Sequence, residues 1–259
     1  MTVERERRLV FGEDAERYDR ARPSYPPALV ADLVAWVGSG ARVVDVGCGT
    51  AKAAVLLARE GLAGVGVEPH PSMAGVARRN LGRYPDWRVD VADFETWAPG
   101  PDDVPVDLVT CAQAWHWVDP VAGWDRAAAV LRPGGWLALW WNWPAAEPPE
   151  LGAALDAIYA VHGTELDFRN LRRQQEELEE PDEAPPGSGF GPPLDRRYPW
   201  VQTYTTEELL DLLGTHSSHR LLAPDQLAAL LADIGDAVDH NGGVFEQRYV
   251  CQLNAFPRL

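Results

Sequence analysis

Residues Ala41–Lys52, reading Ala-Arg-Val-Val-Asp-Val-Gly-Cys-Gly-Thr-Ala-Lys, constrain this chain more than any other stretch. Arg42–Val46 is β-branched and apolar, the pattern of a strand covered on both faces. Gly47 and Gly49 permit positive φ and leave room for a ligand to approach the backbone. Ala51–Glu60 is strong helix-forming sequence. A strand, a glycine turn and a helix N-terminus together make a nucleotide-type cradle.

Two familiar versions of that cradle fail on a single residue. A dinucleotide fingerprint wants a third glycine three residues after Gly49, where Lys52 stands. A phosphate-binding Walker loop wants Gly-Lys-Ser/Thr, and Lys52 lies between Ala51 and Ala53. The run Val-Asp-Val-Gly-Cys-Gly-Thr-Ala-Lys instead resembles the first motif of class I S-adenosylmethionine (SAM) methyltransferases, with Ala51 where that family often carries glycine.

Further segments extend the resemblance to the small-molecule branch of the family related to trans-aconitate methyltransferase. Phe11-Gly12…Ala15…Tyr18-Asp19…Arg22-Pro23…Tyr25-Pro26 is similar to its N-terminal lid, and Gln113-Ala114-Trp115-His116-Trp117 to its segment after the fourth strand. Leu131-Arg132-Pro133-Gly134-Gly135 resembles its turn before the fifth strand. The resemblance implies an α/β fold: a Rossmann-like, seven-stranded, mostly parallel sheet with helices on both faces and an inserted cap or lid. It divides the chain into a lid segment (1–27), a SAM-binding core (28–144), a cap (145–197) and C-terminal strands and helices completing the sheet (198–259), with the last strand antiparallel.

Composition narrows the partners. A net charge of −16 over 259 residues repels phosphate backbones, so nucleic acid is not expected. The three cysteines, Cys48, Cys111 and Cys251, are widely spaced in apolar contexts, which points to reduced thiols and a cytoplasmic location. Metal-ligand spacing is absent. Met1–Arg8 is charged, so no signal peptide is expected, and the most apolar run, Trp136–Trp141, is too short to span a membrane. The sequence leaves monomer and homodimer open.

In chain order, a short helix over Glu13–Arg20 precedes a proline-rich segment that blocks its continuation. An amphipathic helix follows over Ala28–Val37. Strands are expected at Leu62–Val67, Trp87–Val91, Val106–Cys111, Trp136–Trp141, Trp200–Tyr204 and Val244–Phe256. The intervening helices fall at Pro69–Arg79, Trp124–Leu131, Leu151–His162 and Pro224–Val238, and one more is capped by Thr206. Arg169–Glu180 reads as a charged helical run, Glu180–Pro193 as a loop and part of a cap over the substrate, and Thr215–Arg220 as a polar turn.

Glu68 ends the second strand about 20 residues after the glycine turn, where a carboxylate grips both hydroxyls of a ribose. The resemblance implies that Asp45, Gly47, Cys48, Gly49, Pro69, Met73 and Ala112 surround the cofactor. In it, Tyr18 and Arg22 close over the methionine part, Asp93 accepts the adenine amine, and Phe94 supplies an apolar face. Asp90 competes with Asp93 for the adenine, and Met73 serves either adenine or core.

Ligands of open α/β sheets sit outside the carboxyl ends of the strands, which places Trp115, His116 and Trp117 beside the transferring methyl. Methyl transfer from a sulfonium needs donor and acceptor held in line and dry. Trp143 and the neighbouring tryptophans suit an apolar acceptor pocket. His116 is the candidate base if the acceptor is an alcohol or phenol, or else positions the acceptor. His219 and Arg220 are candidates for an anionic substrate, by analogy with carboxylate-methylating members. The absence of Asp-Pro-Pro-Tyr and Asn-Pro-Pro-Tyr disfavours nucleobase and glutamine targets.

The expected activity is transfer of a methyl group from SAM to a small-molecule acceptor, O-methylation favoured, with S-adenosylhomocysteine as product. The alternatives are a same-fold enzyme using SAM for cyclisation or rearrangement, or a non-catalytic SAM-binding regulator. An NAD dehydrogenase is disfavoured by Lys52.

Overall fold

A computed structural model describes residues 14–101, 103, 105–145, 149–162, 183–220 and 222–259. The chain forms two compact units. The sheet unit takes the described residues of Ser24–Asn142, Pro181–Tyr198 and Cys251–Leu259; the helical unit takes those of Met1–Pro23, Trp143–Glu180 and Pro199–Val250. These units cut across the four expected segments: 198–259 is shared between them.

The sheet unit begins with helix α2 (Pro27–Val37), following α1 (Ala15–Ala21) of the helical unit. Pro27 opens α2 at the one position where a missing N–H costs nothing, and Gly38, at φ 85°, closes it. Then come β1 (Arg42–Val46), α3 (Lys52–Arg59), β2 (Ala63–Val67), α4 (Pro71–Leu81), β3 (Trp87–Asp90), β4 (Val106–Ala112), α5 (Ala122–Val130) and β5 (Leu131–Pro144). Strands β6 (Leu194–Thr205) and β7 (Val244–Pro257) complete a seven-stranded sheet of order β3-β2-β1-β4-β5-β7-β6. The pairs β1–β2, β1–β4, β2–β3 and β4–β5 are parallel.

The β5–β7 pairing is antiparallel, since Gly134 N–H bonds to Arg258 O while Ala145 N–H bonds to Arg248 O. These bonds explain why β5 is longer than the expected Trp136–Trp141. Arg258 N–H donates to Gly135 O at 2.8 Å, so the backbone of the expected Arg132–Gly135 turn is drawn into the ladder.

One face of the sheet carries Val44, Val46, Val65, Val67, Val109, Leu137 and Leu139 against Trp124, Val130 and Phe256. These are continuous apolar strands, as parallel sheets with both faces covered require. Fully burying each Leu or Val contributes about 1.5–3 kcal/mol. Phe190 joins this core, its ring 5.4 Å from that of Trp124 and 5.9 Å from the Arg258 guanidinium carbon. The described part of the expected loop is therefore anchored at Phe190, while 169–182 lies outside the described residues.

The helical unit contains α1, α6 (Pro149–Val161), α7 (Thr206–Gly214), α8 (Ser217–Arg220) and α9 (Pro224–His240). Its own core is Leu155, Tyr159, Leu209, Leu213, Leu230, Ile234, Val238 and Phe245. Helix α7 is capped by Thr205, not the expected Thr206: Thr205 accepts from Glu208 N–H and Glu208 accepts from Thr205 N–H, a reciprocal box. Where a turn was expected at Thr215–Arg220, Ser217–Arg220 forms a short helix. Among the described residues no helix is long and apolar enough to cross a membrane, and no group of side chains is arranged to hold a metal ion.

Candidate functional site

The glycine turn leaves β1 with three left-handed residues in five: Gly47 at φ 59°, Gly49 at 57° and Ala51 at 69°. A side chain at Gly47 would place its Cβ 2.7 Å from the Ala114 Cβ, so this glycine lets the β1 turn and the segment after β4 meet. Both turn amides are satisfied from β2: Gly47 N–H at 2.8 Å and Cys48 N–H at 3.2 Å from Val67 O.

Glu68, at the carboxyl end of β2, latches this turn. Its Oε2 accepts from Gly49 N–H and its Oε1 from His70 N–H, each at 2.9 Å, and the residue is buried. Both carboxylate oxygens are thus engaged by backbone amides of the segments on either side. Pro69 follows, half-buried, and His70 caps α4 through Ser72 N–H. Met73, on α4, is buried with its methyl 3.6 Å from where a Gly49 Cβ would stand.

Asp45 is buried beneath the turn. Thr110 Oγ1 donates to its Oδ1 at 2.8 Å, while Oδ2 has no hydrogen-bond partner among the described residues; nor has the buried Thr50 hydroxyl. Burial pushes the Asp45 carboxyl up to about 7 despite the Thr110 bond, and the charge of Glu68 adds to the rise. Two buried oxygens without partners among the described residues thus lie at the glycine turn that Glu68 holds.

At β3 the two competing aspartates separate. Asp90 accepts from the Trp97 indole at 2.9 Å and from Arg88 at 3.2 Å, so it holds the loop that follows. Asp93 is exposed, and its backbone carbonyl accepts from Thr96 N–H at 3.2 Å, which turns the chain back beneath it.

Beyond β4, Ala112 is half-buried and Gln113 takes a left-handed φ of 61°, unusual for a side-chain-bearing residue and often found at functional sites. Trp115–Trp117 form one 3-10 turn. His116 is exposed on it, its ring 4.5 Å from that of the half-buried Trp117.

Comparison with known proteins fits this geometry. Residues 44–139 match the family model described as the methyltransferase domain. An uncharacterized methyltransferase of Mycobacterium tuberculosis is 43% identical over 139 residues, covering 53% of this chain and 54% of that protein. A trans-aconitate 2-methyltransferase of Variovorax paradoxus is 39% identical over 126 residues, covering 48% and 46%. The chain thus spans about half the length of these curated relatives. In fold, it resembles a solved structure from Anaeromyxobacter dehalogenans named as a type II methyltransferase. The TM-score is 0.67 at 23% identity, over 90% of this chain and 97% of that one.

Within residues 44–139, three of the expected ligand contacts are buried and packed against their neighbours. Phe94 and Trp115 are buried core residues, their rings 6.4 Å apart, and Trp115 stands edge-to-face on Trp124 at 5.7 Å. Apolar rings seated in a core have little surface left for a ligand. Cys48 is buried against Gly66, where an added Cβ would lie 2.7 Å from its sulfur, and burial pushes its thiol pKa well up. It fills space between β1 and β2.

The other five expected residues belong to the helical unit. Arg22 lies over the Tyr18 ring at 5.1 Å and donates to Thr215 O at 3.0 Å, its Nε buried without a partner among the described residues. Trp143 is half-buried, its indole N–H likewise without a partner among the described residues. His219 is 2% exposed and hydrogen-bonds the Tyr159 hydroxyl at 2.8 Å. Burial, reinforced by Arg22, pulls its pKa down to about 4, which favours the neutral ring. Arg220 lines a cavity of about 260 Å³ with Asp14, Arg17, Tyr18, Thr215 and Leu222.

Sequence reasoning missed Thr110, Asn80 and Asn142. Thr110 interrupts the apolar Leu108-Val109…Cys111, and that interruption was its signal. Asn80 donates to Thr50 O and Asn142 to Ser24 O, each at 2.9 Å; both depend on pairings distant in sequence and left no local mark.

Proposed function

We propose that this chain is a SAM-dependent methyltransferase acting on a small-molecule acceptor, with oxygen as the favoured methylation site. The observation that carries the reading is the Glu68 latch: one buried carboxylate at the carboxyl end of β2 holds the Gly49 amide of the left-handed turn, so the acidic side chain and the glycine turn form one site. Glu68 would hold the two ribose hydroxyls, the exposed Asp93 carboxylate the adenine amine, and Asp45 the positively charged amino-acid end. The methyl of Met73 would pack on the nucleoside beside Gly49.

When bound, SAM supplies an electrophilic methyl on a sulfonium whose departure leaves a neutral thioether. What remains for the protein is positioning and exclusion of water. The Gly47–Ala114 contact fixes the β4 loop against the turn. His116, exposed on the 3-10 turn and flanked by Trp117, orients the acceptor, and for an alcohol or phenol an imidazole nitrogen takes the hydroxyl proton. A carboxylate acceptor needs no base.

Isothermal titration with SAM, S-adenosylhomocysteine and NAD tests the reading. Micromolar binding of both adenosyl compounds and none of NAD supports it. Binding of NAD alone would move the protein to the dehydrogenases.

A further inference from the structure

The Trp140 indole is 1% exposed, and its N–H has no hydrogen-bond partner among the described residues. Buried polar groups are paired in the large majority of cases, and an indole nitrogen can only donate. At the ligand-binding end of a sheet it is a donor awaiting an acceptor.

Trp140 stands level with Ala112, the last residue of β4, so it lies beside the carboxyl end of that strand although β5 runs on to Pro144. The register pairs Trp140 with Ala112, Ala138 with Thr110, and Thr110 with Asp45. Alternate residues of a strand share a face, so Trp140 is on the face of Asp45 and Thr110, opposite Val109, Leu137 and Leu139. Gln113 N–H donates to Trp140 O at 2.9 Å, so the loop carrying His116 starts from the Trp140 backbone. The Tyr25 ring stands edge-on to the indole, centroids 5.7 Å apart at 87°. The bond from Asn142 to Ser24 O ties the Tyr25 segment to this same strand end.

Strand order gives the direction. With adenine at the end of β3 and ribose at the end of β2, a ligand extending along the sheet edge in the order β3-β2-β1-β4-β5 next meets β1, then β4 and then β5. We propose that the Trp140 indole N–H donates to an oxygen of the methyl acceptor, with Tyr25 as its aromatic flank, and that the acceptor is a carboxylic acid or a phenol. This rests on the methyltransferase reading above. An amine without an oxygen would leave the donor unpaired and is disfavoured by the cost of that burial.

The test uses the full chain, labelled with nitrogen-15. The indole resonance missing from the spectrum of Trp140→Phe is assigned to Trp140. The protein is first saturated with S-adenosylhomocysteine, then titrated with benzoate, citrate and p-cresol. The expected result is a saturable downfield shift of the Trp140 indole proton with at least one of them. Trp140→Phe should bind that compound about three- to tenfold more weakly while binding S-adenosylhomocysteine as the parent does. Tyr25→Leu, which keeps the indole N–H, should weaken the same compound and retain the resonance. If S-adenosylhomocysteine binds but no acid or phenol moves the resonance, the Trp140 assignment is overturned and the methyltransferase reading stands. If S-adenosylhomocysteine alone moves it and Trp140→Phe weakens that ligand, the donor serves the carboxylate of the amino-acid end, and the acceptor assignment is overturned. If S-adenosylhomocysteine does not bind, the methyltransferase reading falls and the acceptor assignment with it.

Discussion

The Glu68 carboxylate accepts the Gly49 amide at 2.9 Å across the turn between β1 and α3. One side chain thereby shapes the loop, and under the proposed function it is also the acceptor for a ribose. Glu68→Ala should weaken S-adenosylhomocysteine by about 2 kcal/mol or more, since hydrogen bonds to a charged acceptor contribute roughly 1.5–3 kcal/mol each. Glu68→Gln, which keeps one carbonyl oxygen, should lose less. Calorimetric titration reads both, and unchanged affinity in Glu68→Ala would sink the ribose assignment.

Ala51 pays for the turn in backbone strain. It is fully buried, with φ at 69°, a conformation that costs a side-chain-bearing residue about 1–2 kcal/mol. Its N–H bonds to Cys48 O at 2.7 Å and its carbonyl accepts from Val55 N–H, so the conformation is held from both sides. Ala51→Gly should stabilise the protein by about 1 kcal/mol, raising the melting temperature by roughly 2–4 °C. A lower melting temperature would mean that the methyl group's packing outweighs the strain.

Where the sequence was legible, the cause was local. The β-branched run, the two glycines and the helix after them are neighbours in the chain, and each acts on its own backbone. The capping box was legible too, although Thr206 is the wrong residue to choose: only Thr205 has a glutamate three residues on, at Glu208. The rest depended on partners brought from afar. Asp90 and Asp93 look alike until Trp97 folds back onto one of them. His219 reads as an exposed cation until Tyr159, 60 residues earlier, covers it. The extra length of β5 is imposed by Arg258, at the other end of the chain.

Asp45 makes the site sensitive to pH. Its folded pKa of about 7 exceeds the ordinary 3.8 because burial disfavours the charge. The folded state therefore binds this proton more tightly than the unfolded state. Stability from this group is fully present below about pH 4 and is lost as pH rises towards 7. A cationic ligand gains from the ionised form, so affinity for SAM should fall as pH drops below about 7. Asp45→Asn should flatten both profiles. Chemical denaturation and calorimetric titration between pH 5 and 8 measure them, and a slope that persists in Asp45→Asn would assign it to another group.

The two aspartates after β3 should fail in different ways. Asp93→Asn removes an exposed carboxylate and should lower S-adenosylhomocysteine affinity about tenfold, with melting unchanged within roughly 0.5 kcal/mol. Asp90→Ala leaves the buried Trp97 indole without its acceptor and should destabilise the protein by about 1–3 kcal/mol. Paired melting and titration curves separate them. Equal losses of affinity without loss of stability would return the adenine assignment to open competition.

The helical unit should be acid-labile through His219. Its folded pKa of about 4 lies below the ordinary 6.5, from burial and the nearby Arg22 charge; His216, partly covered, is shifted in the same direction. Between these values the unfolded chain takes up the proton and the folded chain does not. The stability is fully present above pH 6.5, declines as pH falls towards 4, and levels off below it. Removing the titrating ring in His219→Gln should reduce the pH slope across that window by the equivalent of about one proton, leaving the contribution of His216. Urea denaturation at half-unit intervals from pH 4 to 7.5 gives the slope. A slope as steep in His219→Gln as in the parent would show that His219 is already protonated in the folded state, and that its bond to Tyr159 is an imidazolium donating to a hydroxyl.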